Sequence, residues 1–250
     1  MCFTQSISIL FSVGGCIMSG ILYFKNIKTT SYCIFYFTLM EILQSFQYIY
    51  IADSPTSIQC NKINKILTSI GFLHICFQPY FNNLIHEAGI KSEKNMILFK
   101  QRFVVIKRLC LIGGSLLFFR HLYALYDDTS YVHSDTLSTE WVKHDSLCTY
   151  KGNYHLAWAL PVMDVSYYVP SMNIHFFLMF MPLLTFYENK SMLISSIFLY
   201  ITGPLLASFI TSNLMEQASI WCFFSIAQCS IAFFKCIFDH RRQTQHEKIC

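Results

Sequence analysis

Glu41 stands within FTLMEILQSFQYIYIAD (37–53), where its neighbours are almost all apolar, aromatic or amide-bearing. A charge at mid-membrane costs about 2.5 to 3.5 kcal/mol on insertion scales, so an ionisable side chain in such a run usually faces protein and has a task there. Gln44 and Tyr48 follow at i+3 and i+7 and share its helical stripe, with Gln47 at the margin. A second stretch, LHICFQPYFNN, sets His74, Gln78 and Asn82 at i, i+4 and i+8, and Pro79 loosens the same turn. A carboxyl and an imidazole that exchange protons, ringed by amides that donate and accept, make a centre for a small polar solute or an ion. Glu41 and His74 are expected to pair at that centre.

Further candidates gather toward the outer half of the apolar segments: His155, Asp164, His175 and Glu216, with Arg120 and His121 at a segment end where they are expected to reach the headgroups. The polar locus is therefore expected to open outward, with Glu41, Gln44, His74, Gln78, His175 and Glu216 as ligand-binding residues. An alternative is an intramembrane hydrolase acting on lipid, in which His74, His155, Asp164 and His175 hold zinc and activate water. No H-E-x-x-H supports it, and no G-x-S-x-G, Walker loop or dinucleotide fingerprint is present, so nucleotide use has no motif behind it and the sequence names no cofactor either way. A third reading is structural: Gln44, Gln47, Gln78 and Asn82 join helices, and the protein has no ligand.

The elements that must position these groups are set by composition. Of 250 residues, 54% are hydrophobic and 13% charged, against about a quarter charged in a soluble globule, and mean hydropathy is +0.43. The apolar residues form blocks over 4–24, 31–52, 66–86, 103–126, 168–187, 191–211 and 217–238, each close to the roughly 20 residues a helix needs to cross a bilayer. The expected fold is an all-α membrane protein, a bundle of seven transmembrane helices forming one domain over 1–250. Alternate connecting segments carry twelve of the eighteen lysines and arginines and the opposite segments four, which puts the N-terminus outside or lumenal and the C-terminus in the cytosol. The basic stretch KSEKNMILFKQRFVVIKR reads as a loop helix on the cytosolic side. The net charge of +4 follows from that asymmetry; the partner it implies is a lipid bilayer, and nucleic-acid binding has no support.

The polar segment 127–154 is expected to lie outside and lid the bundle, and 239–250 is a polar cytosolic tail. From His155 to Tyr187 the chain is too long for one span and holds Pro161, Pro170 and Pro182, so HLAWALPVMDVSYY is read as interfacial or re-entrant, ahead of a kinked fifth span. Most of the eleven cysteines lie in spans, but Cys60 and Cys148 fall on the oxidising side, where a disulfide between them is chemically allowed.

Seven spans with this orientation resemble G-protein-coupled receptors in topology, yet the D/E-R-Y and N-P-x-x-Y signatures are absent. Lys235 lies too near the end of the last span for the Schiff base of a microbial rhodopsin. The paired histidines that the alkaline ceramidase and adiponectin receptor superfamily carries on its last helix have no counterpart in SIWCFFSIAQCSIAFF. In FTQSISILFS, MEILQSFQYIY, HICFQPYF and EQASIWCFFSIAQ the chain resembles a family of uncharacterised multi-pass membrane proteins from large DNA viruses. That resemblance covers most of the chain and implies no activity.

Overall fold

The computed structural model describes residues 4–89, 96–126, 141–163, 171–185 and 190–247. It is a helical bundle carrying one small sheet. The long helices are α1 (Gln5–Phe24), α2 (Lys28–Gln47), α3 (Lys62–Ala88), α4 (Met96–Tyr126) and α9 (Leu214–Glu247); the shorter ones are α5 (Met172–Met179), α6 (Met181–Thr185), α7 (Lys190–Tyr200) and α8 (Leu206–Ile210). Among the described residues three helical segments are long and apolar enough to cross a membrane: Gln5–Phe24, Leu193–Ile210 and Leu214–Arg242. The second of these runs continuously from α7 into α8 through a π-helical turn at Ile201–Leu205, where Pro204 has no N–H to offer the regular ladder.

Small residues decide how closely the first two helices meet. The buried stripe of α1 is Ser8, Ser12, Gly15, Ser19 and Leu22, one residue per turn on a single face. Gly15 lies so close to Thr38 that a Cβ there would overlap the threonine side chain. Further along the same seam the Ser31 hydroxyl donates to the Ser19 carbonyl at 2.8 Å and the Ser19 hydroxyl to the Ser31 carbonyl at 3.0 Å. Small side chains allow that approach, and reciprocal hydroxyl bonds replace the partners that lipid lacks.

Three expectations are corrected. The fold is not purely helical: β1 (Cys148–Lys151) and β2 (Leu156–Ala159) pair antiparallel, Thr149 opposite Trp158 and Tyr150 opposite Ala157. A continuous apolar run such as LAWALP is indistinguishable by periodicity from a buried helix, but four residues between a Gly152–Asn153 turn and Pro161 suit a strand. From Met96 onward the stretch read as a loop helix is not separate, since α4 begins there and continues unbroken to Tyr126; residues 91–95 lie outside the described residues. The expected kinked fifth span is interrupted rather than only bent: α5 stops after eight residues at Phe180, just ahead of Pro182, and α6 adds five; Asp164 and residues 164–170 lie outside the described residues.

Of the segment 127–154, expected to lid the bundle, residues 127–140 lie outside the described residues, and 141–154 lead into the hairpin. Every residue of β2 is buried, and Trp158 and Leu160 belong to one core cluster with Met40, Phe72, Leu117 and Cys222, so non-helical backbone enters the bundle where protein surrounds it. The sulfurs of Cys60 and Cys148 are joined, with Cα atoms 5.4 Å apart, and close a segment of 88 residues between the start of α3 and β1. At the opposite end Lys107 Nζ lies 2.5 Å from Glu87 Oε2, tying α4 to α3.

Gly15→Ala is expected to destabilise the bundle by about 1–3 kcal/mol through overlap with Thr38. Adding Thr38→Ala should recover most of that loss, a non-additivity that unfolding titrations of the two single variants and the double variant would reveal.

Candidate functional site

Two polar layers lie where α1, α2, α3, α9 and the hairpin meet. The outer layer is built on Glu216, near the start of α9 and inaccessible to solvent. Its Oε1 accepts the backbone N–H groups of Tyr154 at 2.5 Å and His155 at 2.7 Å, and its Oε2 accepts the Thr211 hydroxyl at 2.8 Å. The carboxylate therefore grips the hairpin turn. Gly152 packs directly on it, leaving no room for a Cβ. A negative charge in the first turn of a helix is also favoured by the helix dipole.

His155, held in that turn, reaches back to α2. Its Nε2 lies 3.1 Å from Gln44 Oε1 and its Nδ1 2.6 Å from the Tyr48 hydroxyl. An amide oxygen only accepts, so the proton sits on Nε2 and the Tyr48 hydroxyl donates to Nδ1. Burial pushes the His155 imidazole down to about 3, in keeping with a neutral ring. Beside it Trp158 Nε1 donates to Gln47 Oε1 at 3.1 Å, and Gln47 Nε2 donates to the Leu67 carbonyl at 3.1 Å. The Asn64 amide donates to the Tyr50 and Thr149 carbonyls, each at 2.7 Å, and its oxygen accepts the Thr149 N–H at 2.9 Å. At this end of the locus expected to open outward, the hairpin turn packs over the polar groups and takes up their hydrogen bonds.

The inner layer lies one turn deeper and is not satisfied. Glu41 is fully buried, and among the described residues neither of its oxygens has a hydrogen-bond partner. Gln44 Nε2 and Ser8 Oγ on α1 are likewise buried and make no hydrogen bond of ordinary geometry among the described residues, although the Ser8 hydroxyl stands beside the carboxyl and near enough to stabilise its charge. The Cys222 thiol on α9 also senses the Glu41 charge and takes a hydrogen bond from Gln78 Nε2 at 3.2 Å. Unpaired and ionised, a carboxylate in such surroundings costs several kcal/mol. Either it carries a proton or it holds a guest that brings positive charge or donors.

The pairing of Glu41 with His74 is not formed. His74 Nε2 donates to the Tyr36 carbonyl at 2.7 Å, its ring stacks on Tyr36 at 4.0 Å, and the Tyr36 hydroxyl donates to the His74 carbonyl. Residues five apart on a helix are separated by about 140° around its axis, so an imidazole bound at Tyr36 is turned away from Glu41. Among the described residues His74 Nδ1 has no partner. His175 is buried on α5, and among the described residues its Nε2 is unpartnered and no hydrogen bond joins it to Glu41, His74 or Glu216.

Arg120 and His121 do not reach for headgroups. Both are buried, donating to the Met163 carbonyl at 2.7 Å and the Pro161 carbonyl at 2.7 Å, and so they pin the segment after β2 to α4. Among the described residues no three histidine, cysteine, aspartate or glutamate side chains stand close enough to share a metal ion. Ser8 and Cys222 were not singled out by sequence. The small-residue stripe of α1 carried a signal for the former, but a thiol in an apolar helix carries none.

A cavity of about 600 Å³ lies in the half of the bundle away from the hairpin, between α3, α7 and α9. Gln78 and Cys222 form its deep end, while His86, Lys235 and Asp239 stand toward its mouth.

A histidine whose folded pKa is depressed binds fewer protons folded than unfolded, so its contribution is complete above the unfolded value of about 6.5 and is lost as pH falls toward 3. His155→Gln is therefore expected to lower stability at pH 7 and to reduce the further loss of Tm between pH 7 and pH 5, measured by thermal unfolding in detergent.

Comparison with curated proteins and with solved structures finds no match. One family profile covers residues 6–242, nearly the whole chain. The chain therefore belongs to that family, a family of unknown function (DUF5765).

Proposed function

We propose that this chain is a multi-pass membrane protein of seven spans that binds a small polar solute or ion at the Glu41 carboxyl, beneath a seal formed by the hairpin. The N-terminus lies outside or in a lumen and the C-terminus in the cytosol. Two observations support that orientation. Twelve basic residues on one set of connecting segments against four on the other follow the insertion bias. The Cys60–Cys148 disulfide, at the hairpin end, belongs in an oxidising compartment.

The reading of the site rests on one observation: the Glu41 oxygens, Ser8 Oγ and Gln44 Nε2 are buried together on adjoining faces of α1 and α2, with the Ser8 hydroxyl beside the carboxyl, and among the described residues none of them makes a hydrogen bond of ordinary geometry. Buried polar groups in folded proteins are nearly always bonded, to protein or to ordered water, and unsatisfied ones mark a missing partner. The donor and acceptor set is complementary to a small guest. The carboxylate favours a cation or a donor, the amide N–H₂ an acceptor, and the hydroxyl serves either. The remaining amides support helix joining instead, since Asn82 bonds the Met179 carbonyl at 2.9 Å and Asn83 the Leu178 carbonyl at 3.1 Å.

The test is thermal unfolding of purified protein in a panel of lithium, sodium, potassium, ammonium and magnesium chlorides at fixed ionic strength, with choline as reference. At least one cation is expected to raise Tm by several degrees, and Glu41→Gln should abolish that shift. Equal Tm values across the panel, with Glu41→Gln more stable than the parent, would make the residue a protonated acid that only joins helices, and the binding reading would fall.

A further inference from the structure

The cavity between α7 and α9 is a cleft open to the side. Its upper limit is a tight junction: Gly203 in the π turn lies against the Trp221 indole with no space for a Cβ, and Gln228 Nε2 donates to the Thr202 hydroxyl at 2.8 Å. From there toward the chain's tail, α9 presents small side chains to the space, among them Ser225, Cys229, Ala232 and Cys236. These recur at i, i+4, i+7 and i+11, one face of the helix. Facing larger residues would close the gap; small ones leave it.

The rims are apolar and exposed: Ile194 and Phe198 on α7 are 66% and 40% accessible, and Ile231 on α9 is 52% accessible. The two walls, Leu193–Ile210 and Leu214–Arg242, are two of the three segments apolar enough to cross a membrane. A side opening between such helices faces acyl chains rather than water. Along α9 the lining runs from Trp221 to Asp239, a rise of about 27 Å, against the roughly 15 Å that one leaflet's chains span in a core of about 30 Å.

At the mouth the chemistry changes. Lys235 is exposed, His86 on α3 lines the cleft at the same end, and Asp239 follows one turn further along α9. A cationic and an anionic side chain one turn apart, each with contacts of its own, make this the polar end of an otherwise apolar cleft, matching the mixed charge of a zwitterionic headgroup.

We propose that this cleft is a lipid site, holding one acyl chain of a zwitterionic bilayer phospholipid, its headgroup set between Lys235 and Asp239. The chain enters sideways between α7 and α9 and points toward the bonded pair Gln78 and Cys222 at the far end of the cleft. A cavity of about 600 Å³ lies within the range of sites that hold one amphiphile-sized ligand.

The test reconstitutes the full chain in phosphatidylcholine nanodiscs containing phosphatidylcholine with a diazirine midway along one acyl chain. After irradiation, peptides from the facing walls of α7 and α9 should carry at least fivefold more label than peptides from the exposed face of α4. Ala232→Trp, which fills the cleft, should remove that excess, and Ser225→Phe serves if the tryptophan variant does not fold. Lys235→Glu should lower it several-fold. In detergent, added lysophosphatidylcholine should slow maleimide labelling of Cys229 and Cys236 in the parent. Label spread evenly over α1, α4 and the cleft, or unchanged in the filled variants, would overturn the proposal. Glu41→Gln should leave the labelling unaltered, so the outcome is independent of the cation panel.

Discussion

A single carboxylate holds the hairpin inside the bundle. With one oxygen Glu216 fixes the two backbone N–H groups of the turn, and with the other the Thr211 hydroxyl that precedes α9. The turn in its place presents His155 to Gln44 and Tyr48, and the strand that follows brings Trp158 to Gln47. Without that grip a run of non-helical backbone would have no reason to sit among helices, for its polar groups are satisfied there only through strand pairing and these side-chain contacts. The disulfide at the other edge of the hairpin limits how far the turn can lift even when the carboxylate lets go.

The contrast between the two polar layers is the main functional clue. In the upper layer each group finds a complement: amide to indole, imidazole to amide and phenol, carboxylate to backbone. One turn below, Glu41, Ser8 and half of Gln44 find none. Gln44 belongs to both, its oxygen spent on His155 and its nitrogen left over, so the sealing network and the open valences share one side chain. A change in how His155 is held is thereby felt at the amide nearest Glu41.

Much of the helical layout was legible in the sequence, because hydrophobic blocks of about 20 residues leave few alternatives to helices. The shelter of Glu41 was legible for the same reason, since a charge in an apolar run must turn inward. Its relation to His74 was not. Both lie at similar depth, but which faces meet depends on helix rotation, and Tyr36, an unremarked aromatic in an aromatic-rich helix, captured the imidazole. The hairpin escaped notice because four consecutive apolar residues carry no period. The cleft beside α9 is an absence of volume, and absence of volume arises from pairs of facing residues that no single stretch of sequence displays.

α9 runs from Leu214 to Glu247 with neither proline nor glycine, about 51 Å of uninterrupted helix, well beyond the roughly 30 Å of a hydrocarbon core. Sharp bends in helices need a proline, a small-residue pair or an inserted group, and this one offers no such joint. It is a lever whose one end bears Glu216 beneath the hairpin and whose other carries Arg241 and Arg242, at the limit of the stretch apolar enough to cross a membrane. Tilting at either end must swing the other.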